Sequence, residues 1–110
     1  MKTSTINGTP FRSLPGEMVF LNSTIALDSY RLRHVKSAIG EVNTIIDIGA
    51  GSGDFTFHAR SLFPMATIHA LEPHPKLFES LILNFSHDER VCCHWSAYSH
   101  DDPMTLSEHV

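Results

Sequence analysis

Thr44-Ile45-Ile46-Asp47-Ile48-Gly49-Ala50-Gly51-Ser52-Gly53-Asp54-Phe55 is the stretch that decides the fold. Thr44 to Ile48 is apolar almost throughout and β-branched, which suits a strand buried on both faces of a parallel sheet. Glycines at alternate positions then let the backbone turn sharply and leave room for a ligand against the main chain. A helix-like pattern opens directly behind them, offering free N–H groups and a partial positive charge to the crevice. At the carboxyl end of a strand in an open α/β sheet a bound ligand is the default expectation. The alternative is a tight strand-to-helix turn that binds nothing, which leaves Asp47 and a second acid, Glu72, without a role.

The spacing excludes two common ligand loops. In G-x-G-x-x-G the third glycine would fall at Asp54, where an acid repels a diphosphate, and Gly53 comes one place early. No Gly-Lys-Ser or Gly-Lys-Thr follows the turn, so it is not a P-loop. Glu72 closes the run Ala66 to Leu71, which reads as a second strand. It lies nineteen positions beyond Gly53, about the distance at which an acid meets ribose hydroxyls in a nucleotide-binding βαβ unit. A carboxylate can accept both hydroxyl protons. A solvated strand-end acid is the plainer alternative.

Asp47-x-Gly49-x-Gly51-x-Gly53 resembles the first motif of the class I methyltransferases, which bind S-adenosylmethionine (SAM). The chemistry agrees: SAM has no phosphate and carries a sulfonium and an ammonium, so an acidic loop with bare backbone suits it. The longer pattern Ile46 to Phe55, then His69-Ala70-Leu71-Glu72-Pro73-His74-Pro75-Lys76-Leu77-Phe78, then Leu83-Asn84, is similar to the FkbM-type methyltransferases. It covers roughly Thr44 to Asp102, over half of the chain. The resemblance implies O-methyl transfer to a sugar, polyketide or related small molecule. It also implies a cofactor site built from Asp47, Gly49, Ala50, Gly51, Gly53, Glu72, Pro73, His74, Ser96 and Ala97. Ser96 and Ala97 fall there at the end of a third strand, level with Gly49 and Glu72, beside the adenine. Pro73 and His74 either pack on the adenine edge or only set the direction of the next helix.

The expected fold class is therefore α/β: an open, mainly parallel, Rossmann-like sheet that stops after about three strands. Residues 1–27 read as an N-terminal arm or loop and 28–110 as a partial SAM-binding domain. A chain of 110 residues, 42% hydrophobic, is ordinary for one globular unit, yet short for this architecture. The expectation is a fragment, a truncated homologue, or a chain completed by self-association or a partner, because an open sheet exposes an edge and an apolar face.

Along the chain, Met1 to Gly16 is polar and reads as having no regular element, with Phe11 and Leu14 as anchors. Met18 to Leu21 is a brief apolar run, and Asn22, Ser23 and Thr24 are candidate caps. A helix-like stretch starts at Asp28-Ser29, with Leu32, Val35 and Ile39 at helical spacing and Gly40 as its stop. Asp28 and Tyr30 are weaker candidates to reach the cofactor. Phe55, Ala59 and Leu62 share the next helical face, with His58 beside them as an ordinary helix residue, and Pro64 ends that helix. Leu77, Leu81 and Phe85 form a third stripe. Val91 to Trp95 reads as the third strand with Trp95 in the core, and Ser99 to Pro103 as a loop.

The formal charge is −4 with eight histidines neutral. Arg31, Arg33 and Lys36 are the only local basic group and read as a solvated helix face, so nucleic acid is not favoured. Cys92 and Cys93 are adjacent, which disfavours pairing with each other, and no CxxC metal pattern occurs. Reduced cysteines, no signal peptide and no long apolar span point to the cytoplasm and away from a membrane. The sequence-level function is a SAM-dependent methyltransferase with a small-molecule acceptor. No catalytic base and no metal ligand stand out. The alternatives are a non-catalytic SAM-binding module that works through assembly and, less favoured because of Asp54, a piece of an NAD-dependent oxidoreductase.

Overall fold

The computed structural model describes residues 2–6, 8–14, 28, 30–97 and 104–105. Its centre is a parallel sheet of β3 (Thr44–Ile48), β4 (Thr67–Leu71) and β5 (Val91–His94), in that order. Helix α2 (Asp54–Leu62) joins β3 to β4, and helix α3 (Pro75–Phe85) joins β4 to β5. Two successive strand–helix–strand units of this kind give the expected α/β, Rossmann-like arrangement.

The period of two along each strand sorts the side chains to opposite faces. Register places Asp47 beside Ala70 and Cys93, and Ile45 beside Ile68 and Val91. Ile68, Ala70 and Val91 are buried with Ala59 and Phe63 from the α2 side and Leu81 and Phe85 from α3. Both helices thus cover one face. The other face carries Ile46 level with His69 and Cys92, and Ile48 level with Leu71 and His94. There Ile46 is 63% and Ile48 57% exposed. The continuous apolar run Ile45-Ile46-Asp47-Ile48 predicted burial on both faces; only one face of β3 has it.

The amino-terminal segment corrects the expectation of an irregular arm. Strands β1 (Lys2–Ile6) and β2 (Thr9–Ser13) pair antiparallel, with Ile6 opposite Thr9. Gly8, between the strands, adopts φ 83°, a conformation that tight hairpin turns require and glycine supplies. Phe11 anchors the hairpin: it is buried and meets Phe57 edge-on, with ring centroids 5.8 Å apart. Asn84 on α3 completes the attachment. Its amide accepts from the Arg12 N–H at 2.7 Å and donates to the Arg12 carbonyl at 2.8 Å. It also donates to the Ser52 carbonyl in the glycine turn at 2.9 Å.

Helix α1 (Leu32–Ile39) starts later than Asp28: Arg31 is its N-cap residue and has no capping side-chain bond of its own, so the Asp28 side chain, three residues earlier, serves the first turn. The Asp28 carboxylate accepts from the N–H groups of Leu32 and Arg33 at 3.0 and 3.1 Å. Of the expected stripe only Leu32 is buried, while Val35 and Ile39 remain exposed. Phe63, just past the end of α2, is instead a core residue.

The third strand ends at His94, one residue short of the expectation. Trp95 is half-buried rather than core: its indole N–H donates to the Pro73 carbonyl at 2.9 Å and its ring stacks near Phe78. Ser96 and Ala97 are not level with Gly49 and Glu72 in the parallel sheet. They form β6 (Ser96–Ala97), which pairs antiparallel with β7 (Met104–Thr105). The runs Met18 to Leu21, Asn22 to Thr24 and Ser99 to Pro103 lie outside the described residues. No helix among the described residues is long and apolar enough to cross a membrane.

Candidate functional site

The glycine turn is fastened to the end of β4. The N–H groups of Gly49 and Ala50 both donate to the Leu71 carbonyl, each at 2.9 Å. The Gly51 N–H donates to Glu72 Oε1 at 2.8 Å, and Glu72 Oε2 accepts from the His74 N–H at 2.7 Å. Glu72 is only 5% exposed. Its carboxylate therefore clamps the turn from β3 to the corner after β4. Each oxygen keeps further lone-pair capacity for a donor.

The three alternate glycines do different work. Gly49, Gly51 and Gly53 adopt φ of 75°, 62° and 103°, all in the left-handed region. A Cβ on Gly49 would meet nothing within 4 Å, so that side of the turn is bare backbone facing open space. A Cβ on Gly53 would lie 2.4 Å from Phe85 Cε2 and 2.9 Å from Leu81 Cδ1. Gly53 lets α3 approach the turn, and it is not among the residues that line the cavity described below.

A cavity of about 280 Å³ opens at the bare side. It is lined by Asp47, Gly49, Ala50 and Asp54 from the turn and its flanks, Ile46 and Ile48 from β3, and Tyr30 and Phe55 as an aromatic wall. The Tyr30 and Phe55 rings stand edge to face, with centroids 5.2 Å apart. Tyr30, a weak candidate in the sequence, is thus at the mouth. Asp28 is turned away to His58, whose Nε2 lies 2.6 Å from Asp28 Oδ1. Burial would raise the Asp28 carboxyl; the His58 hydrogen bond and the N–H groups of Arg33 and Leu32 outweigh it and hold the group below its usual value. Positioned by Asp28, His58 ties α1 to α2 and is buried away from the cavity.

Of the sequence-derived set, Asp47, Gly49 and Ala50 line this cavity, and Gly51 and Glu72 form the clamp behind it. His74 caps α3, its Nδ1 accepting from Lys76 and Leu77 at 3.2 and 3.4 Å. Pro73 receives the Trp95 indole. Ser96 and Ala97 lie in the short antiparallel ladder, outside the cavity lining. Phe55 was read only as a core residue; its place one residue after Asp54, at the start of the helix behind the turn, was the available signal.

The electrostatics are uniform in sign. Asp47 is buried and accepts from Thr56 Oγ1 at 2.7 Å. Burial raises its carboxyl above the usual value; the Thr56 bond opposes this, while the Asp54 and Glu72 charges add to it. Three carboxylates converge on one glycine turn, a field that attracts cations and repels phosphates. Among the described residues no group of three His, Cys, Asp or Glu side chains could hold a metal ion.

No family model and no curated protein matches the sequence. Solved structures do match the fold. A candidate methyltransferase of Escherichia coli, yhhF, superposes with a TM-score of 0.61 at 16% identity, covering 87% of this chain and 53% of its own. A candidate transferase of Pyrococcus horikoshii gives a TM-score of 0.54 at 18% identity, covering 84% of this chain and 35% of its own. The chain therefore shares the α/β fold of these proteins and spans about half the length of the first.

Proposed function

We propose that the β3–α2 turn binds S-adenosylmethionine and that the chain forms the cofactor-holding part of a class I methyltransferase. The observation that supports this most strongly is the ring of Asp47, Asp54 and Glu72 around a turn whose Gly49 side is open backbone. A cationic, phosphate-free nucleoside fits that field, and a dinucleotide does not. The glycine pattern and the fold shared with the Escherichia coli protein point the same way.

On this reading Asp47 and Asp54 face the ammonium and sulfonium end. Glu72, at the end of β4, meets the ribose hydroxyls with the lone pairs left over from Gly51 and His74. Tyr30 and Phe55 exclude water from one side. The bound group would supply an electrophilic methyl; the protein's task is to hold it in line with an acceptor oxygen. The acceptor we propose is a hydroxyl of a sugar or other small molecule, as the FkbM-like pattern implies. Burial and the neighbouring Cys92 push the Cys93 thiol up to about 11. Both free cysteines suit a reducing, cytoplasmic setting. A second reading, a SAM-binding module that acts only when assembled, draws on the exposed Ile46 and Ile48.

Calorimetric titration with SAM, S-adenosylhomocysteine and NAD tests the cofactor. SAM and its demethylated product should bind and NAD should not; heat from NAD alone would overturn the reading. Glu72→Gln should weaken SAM more than tenfold, because one of its amide hydrogens must face an N–H of Gly51 or His74. Transfer of labelled methyl from SAM to hydroxylated acceptors separates enzyme from module.

A further inference from the structure

A second cavity lies remote from the glycine turn. It measures about 770 Å³ and lies where the hairpin strand β2 meets α2 and α3. Pro10, Phe57, Leu83 and Phe85 give it an apolar floor and walls. Arg12 stands at its side, and no hydrogen bond or ion pair joins the Arg12 guanidinium to another described residue. The second arginine, Arg60, is already neutralised: its Nε donates to Asp88 Oδ2 at 2.7 Å, and it also donates to the Pro64 carbonyl. The lining thus presents, among the described residues, one positive charge without an opposite partner over an apolar hollow, in a chain of formal charge −4.

The volume falls in the range of small-molecule sites, which are mainly apolar with a few polar groups that orient the ligand. A buried hydrocarbon body is favoured by roughly 25 cal/mol per Å² of apolar surface removed from water. A guanidinium fork matches the two oxygens of a carboxylate. We infer that the groove between β2, α2 and α3 binds an amphipathic carboxylate, with its apolar body over Phe57, Leu83 and Phe85 and its head on Arg12. The site also has a route to the glycine turn. Asn84, which lines the groove, holds both Arg12 main-chain groups and the Ser52 carbonyl. The inference does not rest on the cofactor reading and survives its failure.

Displacement of the fluorescent anion 8-anilinonaphthalene-1-sulfonate by decanoate tests it, with decan-1-ol as the neutral competitor of equal chain length. Decanoate should displace the probe at a concentration at least tenfold below that of the alcohol. Arg12→Gln keeps the main-chain bonds to Asn84 and should bring the two competitors within about twofold. Leu83→Glu, at an exposed edge of the groove, should abolish displacement by both, while its melting temperature reports an intact fold. Ile39→Glu, exposed on α1 and lining neither cavity, should change nothing. The inference is overturned if acid and alcohol compete equally in the unaltered protein. It is overturned equally if Arg12→Gln leaves their difference intact, or if Ile39→Glu is the change that removes binding.

Discussion

The two faces of the β3–β5 sheet both draw isoleucines from β3 and have opposite fates in the structure. On one face Ile68, Ala70 and Val91 pack under α2 and α3. On the other Ile46 and Ile48 stand in the open, beside His69 and His94, whose rings stack with Nδ1 and Nε2 3.0 Å apart. The difference follows from connectivity. Each helix is tethered between strands it must cover, whereas nothing among the described residues is tethered over the other face. Stability in this chain is therefore expected to be one-sided, and the sheet's two faces should respond very differently to the same kind of substitution.

The sharpest contrast is between Leu81→Ala and Ile46→Ser. Leu81 is 0% exposed, and truncating it should cost about 3 kcal/mol, the transfer loss plus the cavity left behind. Ile46→Ser should stay within about 0.5 kcal/mol, as for other exposed positions. Urea denaturation of both variants measures this. Comparable losses would break the contrast and mean that the outer face is covered in solution.

Glycines in the turn repeat the comparison at smaller scale. Gly53→Ala drives a methyl into Phe85 and Leu81 and should cost about 2 kcal/mol by overpacking and left-handed strain. Gly49→Ala meets no atom within 4 Å, so only the backbone penalty of roughly 1 kcal/mol remains. SAM affinity should reverse that order, because the Gly49 methyl enters the cavity and the Gly53 methyl does not.

Between these sits Asn84→Ala, which strips the partners from the Arg12 N–H and two carbonyls. A loss of about 1–2 kcal/mol is expected, with faster amide exchange in β1 and β2 than in β4. Uniform exchange across both sheets would show that the hairpin is held by Phe11 rather than by Asn84.

What could be read from the sequence was whatever a local pattern carries. The β-branched run, the glycine spacing and the stripe Leu77, Leu81, Phe85 each report a single element, and all three elements are present. The hairpin was equally local, signalled by Asn7-Gly8 between Thr- and Ile-containing runs, but the polar composition of the segment hid it. Three other features depend on long-range contacts and left no local mark. Glu72 as a clamp on Gly51, Gly53 as a bed for Phe85, and Asn84 as a bracket all join residues separated by a full structural unit. Trp95 looked like core because it is a tryptophan after a strand; its indole N–H instead found the Pro73 carbonyl, outside the packed layer.

The smallest effect expected concerns Asp47, the one acid on the covered face of β3. Its folded-state value lies above the ordinary 3.8, chiefly through burial, with Asp54 and Glu72 adding to the rise and Thr56 opposing it. A raised carboxyl favours folding in its protonated form. That contribution is complete below the unfolded value and is lost as pH rises through the folded one. At neutral pH the buried charge is therefore a cost. Asp47→Asn removes it while its amide oxygen can still accept from Thr56, so the variant should be slightly more stable than the parent at pH 7. The advantage should shrink as the medium is acidified into the carboxylate range, as thermal melts between pH 4 and pH 7 would show. On the proposed cofactor reading, SAM affinity should move the opposite way at pH 7, since the negative field of the turn loses one of its charges. A variant that gained stability and kept its affinity would remove Asp47 from the cofactor field and leave Asp54 and Glu72 to supply it. A retained charge that destabilises the fold and strengthens ligand binding is the pattern expected of a functional rather than a structural acid.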